Sequence, residues 1–161
     1  AATPLVRAMP NTPAAIGKGI SAICGNAAAM PADLATAEGL LAVIGKVERL
    51  EGEHLMDAVT ALSGSGPGYV FHLIEAMAAA GATEGLPPDM AMRLAIATVA
   101  GAGALAEASD ESPAQLRINV TSPAGTTEAG LQVLMEPDSG FPGLMRRAVA
   151  AAAARGRELG K

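Results

Sequence analysis

The sequence predicts an all-α fold preceded by a short non-helical arm, and three observations lead there. From Pro31 onward, apolar residues recur at three- and four-residue spacing over most of the chain. Four of these periodic runs open at or beside a proline (Pro31, Pro67, Pro88, Pro113), which suits the first turn of a helix. The opening "AATPLVRAMPNTPAAIGKGISAICGN" has short apolar pieces, three prolines and no helical period, so strand and loop are expected up to about Asn26.

After the arm, Leu34, Ala37, Glu38, Leu41 and Ile44 follow Pro31 at helical spacing, and Gly45 ends the helix. "KVERLEGE" alternates enough for a short strand or a turn. Leu55, Met56, Val59 and Leu62 form the stripe of a short helix, stopped by "SGSGPG". Pro67 restarts the chain, with Val70, Leu73, Ile74, Met77 and Gly81 on one face. Pro88 and Asp89 signal the next start, and from Met90 to Ala108 almost no polar face remains. A helix apolar all round is buried all round. In so small a domain this points to a partner subunit. Pro113 begins a short turn of helix, and two further helices are expected at about 127–136 and 142–159. Arginines near the end of the last one suit its dipole without any ligand.

The composition narrows the function. The 161 residues suffice for one domain with a real core. Half are hydrophobic and only 17% charged, which favours surface hidden by oligomerisation. No run of the roughly 20 residues a membrane span needs is free of charge, Gly and Pro, so no membrane association is expected. Pro4, Arg7 and Pro10 break any signal-peptide core. A net charge of −5 and 2% aromatics argue against nucleic acid. Cys24 is the single cysteine, which excludes an internal disulfide and leaves the cytosol as the default compartment. Two histidines without HExxH or CxxC make a metal centre unexpected.

Three stretches could carry chemistry. "SGSGPGY" (63–69) invites a nucleophile at Ser65, but the elbow motif needs glycine at position 63, where Ser63 stands; close helix approach is the better reading. "GAGALAE" (101–107) lies inside a helix and lacks the strand-turn-helix setting of a dinucleotide fingerprint. "NVTSPAGTTEAG" (119–130) is different in kind. Ser122, Gly125, Thr126 and Thr127 lead straight into a helix, whose first turn offers free N–H groups and a positive dipole end. Capping needs one hydroxyl, not three and a glycine. Anion binding and plain capping both remain open on these residues alone.

Four blocks together resemble one family: "MPNTPAAIGKG" (9–19), "DAVTALSGSGPGYVF" (57–71), "GLPPDMAMRLA" (85–95) and "QLRINVTSPAGTTEAGL" (115–131). In order and content they are similar to the pyrroline-5-carboxylate reductases. The resemblance implies an interleaved helical dimerisation domain like the C-terminal domain of 6-phosphogluconate-dehydrogenase-like reductases. Residues 1–26 would be the end of a nucleotide-binding domain and the connecting arm, and 27–161 the helical dimerising, substrate-binding domain. It further implies a homodimer, often in rings of dimers, and NADPH (or NADH) held mainly by a Rossmann domain that the chain lacks. The isolated chain is accordingly expected to be inactive.

By the same resemblance, Thr127 serves the imine nitrogen of 1-pyrroline-5-carboxylate. Ser122, Gly125, Thr126 and Thr127 clamp its carboxylate, and Val120 lines the ring pocket. Asn119, Glu53 and Asn11 fall where the family meets the cofactor. Asp110 stands where the family often has Glu, so Glu111 or Glu107 could take its place near the substrate. The family usually has Gly at the position of Ala124. Two other readings are a ligand-free helical oligomerisation module and the helical domain of a β-hydroxyacid-type dehydrogenase. The second normally uses a helical lysine, absent from 67–108.

Overall fold

The computed structural model describes residues 3–160 and is mostly helical with one small sheet. The chain divides into two compact units. One contains the residues up to Gly68 together with those from Arg147 onward; the other runs from Tyr69 to Arg146.

The first unit is built on β1 (Val6–Met9), β2 (Gly19–Gly25) and β3 (Gly45–Arg49), in the order β1-β2-β3. Strand β1 pairs antiparallel with β2, Met9 opposite Ala22, and a short 3₁₀ turn at Thr12–Ile16 joins them. Strand β3 pairs parallel with β2, Gly19 opposite Gly45. Parallel strands need a crossover, which α1 (Pro31–Leu41) supplies. The sheet thus reaches beyond the arm expected from sequence, because "KVER" finds its strand partner some twenty-five residues upstream at β2. Ser21, Ala22, Ile23 and Cys24 are all buried. A central strand covered on both faces reads as a continuous small-apolar run rather than an alternating one.

Helix α1 starts as its proline predicts, with the Met30 N–H donating to Asp33 Oδ2 at 2.8 Å. Leu34 packs near Gly25 of β2, and Glu38 on the helix pairs with Arg49 of β3. After a 3₁₀ turn at Ala42–Ile44, Gly45 adopts φ 146°, and a Cβ there would overlap the Gly19 backbone. Only glycine fits.

The short helix expected around 55–62 is less regular than its stripe suggests. A 3₁₀ turn (Glu53–Leu55) and α2 (Met56–Val59) pass into a π turn at Thr60–Gly64, where the Ser65 N–H donates to the Thr60 carbonyl at 2.8 Å. Met56 and Ala61 are each 1% exposed, so they anchor this segment. Helix α3 (Gly66–Thr83) then begins at once.

In the second unit α3 packs on α4 (Pro88–Ala108) through small residues: Ala78, Ala91 and Ala95 are buried with Ile74 beside them, and Gly81 faces Leu86 and Ala91. Elsewhere α4 is open in the single chain: Met90, Met92, Leu94, Ile96 and Leu105 are 38–55% exposed. By length and composition alone α4 is apolar enough to cross a membrane, the one such helix among the described residues. It carries Asp89, Arg93, Gly101, Gly103 and Glu107 within that length. Then follow α5 (Pro113–Asn119), α6 (Thr126–Leu134) and α7 (Phe141–Leu159), each within two residues of its expected bounds where the sequence set them.

Candidate functional site

The loop between α5 and α6 is organised from its own residues. Thr121 Oγ1 donates back to the Arg117 carbonyl at 2.6 Å and closes the end of α5. Ser122 to Gly125 then form a tight turn, the Gly125 N–H donating to the Ser122 carbonyl at 3.0 Å. Proline at the second turn position and a positive φ at the third are the type II pattern. The third position is Ala124, with φ 56°, the single non-glycine residue with positive φ among those described. Gly125 lies so close under Ser122 that a Cβ would overlap the serine Oγ.

Gly125 is the N-cap of α6, in extended conformation, and among the described residues no side chain caps this helix. Its first internal bond runs from the Ala129 N–H to the Gly125 carbonyl at 3.2 Å. The N–H groups of Thr126, Thr127 and Glu128 therefore face out of the helix end, where backbone dipoles favour an anion. Thr127 is half-buried; Ser122 and Thr126 are exposed. The three hydroxyls that the sequence offered as caps leave the helix end open. The Glu128 carboxylate instead accepts the Ala124 N–H at 2.7 Å. Sequence reading gave Glu128 no role, although an acid in the first turn was its visible signal.

Just upstream, Val120 follows α5 and is 63% exposed. Asn119 is held on both sides of its amide: Nδ2 donates to Glu111 Oε2 at 2.8 Å, and Oδ1 accepts from Gln115 Nε2 at 2.8 Å. Glu111, one of the acids weighed from sequence, is thus joined to a candidate site residue. Asp110 is exposed, and no hydrogen bond or ion pair joins it to another described residue.

Two candidate residues stand in the first unit. Asn11 is half-buried with both amide atoms engaged: Oδ1 accepts the Ile20 N–H at 3.0 Å and Nδ2 donates to the Ser63 carbonyl at 3.3 Å. It ties the β1–β2 connection to the π turn. Glu53 pairs with Arg7 through one carboxylate oxygen and accepts from Cys24 Sγ at 3.2 Å through the other. Burial, then the hydrogen bond and negative charge of Glu53, push the Cys24 thiol above its ordinary value, with Arg7 opposing. Among the described residues no group of three or more His, Cys, Asp or Glu could hold a metal ion.

This fold has counterparts among known proteins. A family model described as pyrroline-5-carboxylate reductase dimerisation matches residues 53–159. The pyrroline-5-carboxylate reductase of Synechocystis is 47% identical over 157 residues, 98% of this chain and 58% of the relative. The structure of the Coxiella burnetii pyrroline-5-carboxylate reductase superposes with a TM-score of 0.92 at 36% identity, covering 98% of this chain and 57% of that one. The Plasmodium falciparum pyrroline carboxylate reductase, solved with NADP bound, gives 0.86 at 32% identity, covering 98% and 62%. The chain thus spans a little over half the length of the curated relatives it matches. On the family match across most of its length, together with these relatives, the chain belongs to the pyrroline-5-carboxylate reductase family.

Proposed function

We propose that the chain supplies the substrate-binding and dimerising part of an NAD(P)H-dependent reductase that converts 1-pyrroline-5-carboxylate to L-proline. The observation that carries this reading is the uncapped start of α6 behind the Ser122–Gly125 turn.

The substrate is a five-membered cyclic imine whose carboxylate sits on the carbon next to the nitrogen. A reduced nicotinamide, when bound, supplies the hydride that the imine carbon accepts. What this chain contributes is placement. The N–H groups of Thr126, Thr127 and Glu128, with the Ser122 and Thr126 hydroxyls nearby in sequence, take the carboxylate at a helix N-terminus. Because carboxylate and nitrogen share a carbon, a residue at that helix end also reaches the nitrogen. Thr127, half-buried, fills this role: its hydroxyl donates to the nitrogen as its charge changes during reduction. Val120 gives the ring an apolar wall.

Asn119 and Glu53 fit contact with ribose or amide groups of NADPH, since both are exposed and keep acceptor capacity beyond their protein bonds. Asn11 fits less well as a direct ligand, both its amide atoms being taken up within the protein; its part is to hold the segment around Ser63. Glu111 supports Asn119 through its hydrogen bond, a role that Asp110, exposed and without such a bond, does not take. The exposed apolar faces of α4 are the association surface of a homodimer, which also accounts for a helix of membrane-like composition. The cytosol suits the whole reading. Without a nucleotide-binding partner the segment catalyses nothing, and NADPH oxidation by the 161 residues alone would contradict that.

The test is Thr127→Ala in the full-length reductase, read as KM for the imine and as kcat. A raised KM or a lowered kcat supports the assignment; unchanged kinetics remove it.

A further inference from the structure

We propose that Glu128 is a positioning residue for the carboxylate clamp, holding the Ser122–Gly125 turn in its binding conformation through the Ala124 N–H. The inference rests on the reading of Ser122–Thr127 as the clamp.

Ala124 has φ 56°, a conformation that L-residues other than Gly, Asn and Asp avoid because Cβ crowds the following carbonyl. Left to itself, the turn would relax to an ordinary φ and lose the Gly125 N–H to Ser122 carbonyl bond that closes it. Two bonds oppose this. One is that turn bond, on the C-terminal side of Ala124. The other comes from Glu128 on the first turn of α6, whose carboxylate accepts the Ala124 N–H at 2.7 Å. A charged acceptor makes it the stronger kind. The common reciprocal cap would send a third-position Glu to the N-cap N–H. Here that N–H, on Gly125, is already committed to Ser122, so the carboxylate reaches one residue further back. The Glu128 carboxylate is thereby engaged at the Ala124 N–H, and no side-chain cap hydrogen bond is present at the start of α6 among the described residues.

Four variants of the full-length reductase test this by steady-state kinetics, with circular dichroism to confirm folding. Glu128→Ala removes the bond and is expected to raise KM for pyrroline-5-carboxylate about 5- to 10-fold, with kcat within about twofold. Glu128→Gln retains an acceptor without the charge and should raise KM less than Glu128→Ala does. Ala124→Gly placed on Glu128→Ala should restore KM, since glycine adopts positive φ without help. That rescue would not occur if Glu128 served only the stability of α6. An unchanged KM in Glu128→Ala, or failure of the glycine to rescue it, overturns the proposal while Thr127→Ala still raises KM. If Thr127→Ala itself changes nothing, the clamp reading falls and this proposal falls with it.

Discussion

Asn119 donates its side-chain amide to the Glu111 carboxylate at 2.8 Å, across a gap of eight residues that spans the whole of α5. Gln115, one helical turn before Asn119, bonds the other end of the same amide. The pair fixes which face of Asn119 offers its donor and which its acceptor. If Asn119 meets the cofactor, Glu111→Ala should raise KM for NADPH about 2- to 5-fold and leave KM for the imine unchanged. Steady-state titration of each substrate in the full-length reductase separates the two. An equal change in both would show that Glu111 serves the loop as a whole.

Gly45 joins β3 to the preceding turn at φ 146°, against the backbone of Gly19. Gly45→Ala imposes both an unfavourable φ and a clash with backbone atoms that cannot move aside. Denaturant unfolding should show a loss of about 3 kcal/mol or more. A loss below about 1 kcal/mol would mean that β3 can leave the sheet without consequence.

Cys24 is 4% exposed and bonded to Glu53, and its thiol is held above the ordinary value of 9.0. The neutral thiol is therefore favoured in the folded chain. As pH rises, the folded state retains this proton where the unfolded state has lost it. Stability from this group is complete below about pH 9 and declines as pH rises through the raised folded value. At pH 8 the folded protein should alkylate with iodoacetamide at least ~10-fold more slowly than the protein in urea. Equal rates would show the thiol to be open.

Ile96 lies on α4, 49% exposed in the single chain. If the helix forms the subunit interface, Ile96→Asp strands a charge there at a cost of about 3 kcal/mol or more. Sedimentation should then show dissociation or unfolding. A folded, dimeric variant would place the interface elsewhere.

What could be read in advance was local. Pro31, Pro88 and Pro113 each occupy the first helical position that the sequence assigned them, because the preference resides in the proline's own φ and missing N–H. The loop at 121–127 announced itself in the same way, through hydroxyls, proline and glycine within seven residues. Pairings set by distant parts of the chain were not legible. Strand β3 depends on β2 across an entire helix, and "KVER" carries no mark of its partner. The π turn at Thr60–Gly64 rests on one extra residue between donor and acceptor, which an apolar stripe does not reveal. In the site, the partners of Asn11 and Glu53 lie up to 52 residues away, so their hydrogen bonding was invisible. Glu128 was within view, but its bond to Ala124 follows only once Gly125 is seen to be occupied.

The most direct test is a crystal structure of the full-length protein with L-proline and NADP bound. The account predicts the proline carboxylate within about 3 Å of the backbone N–H groups at the start of α6, with the Thr127 hydroxyl on the ring nitrogen. A carboxylate held elsewhere, with the Ser122–Thr127 segment empty, would contradict it.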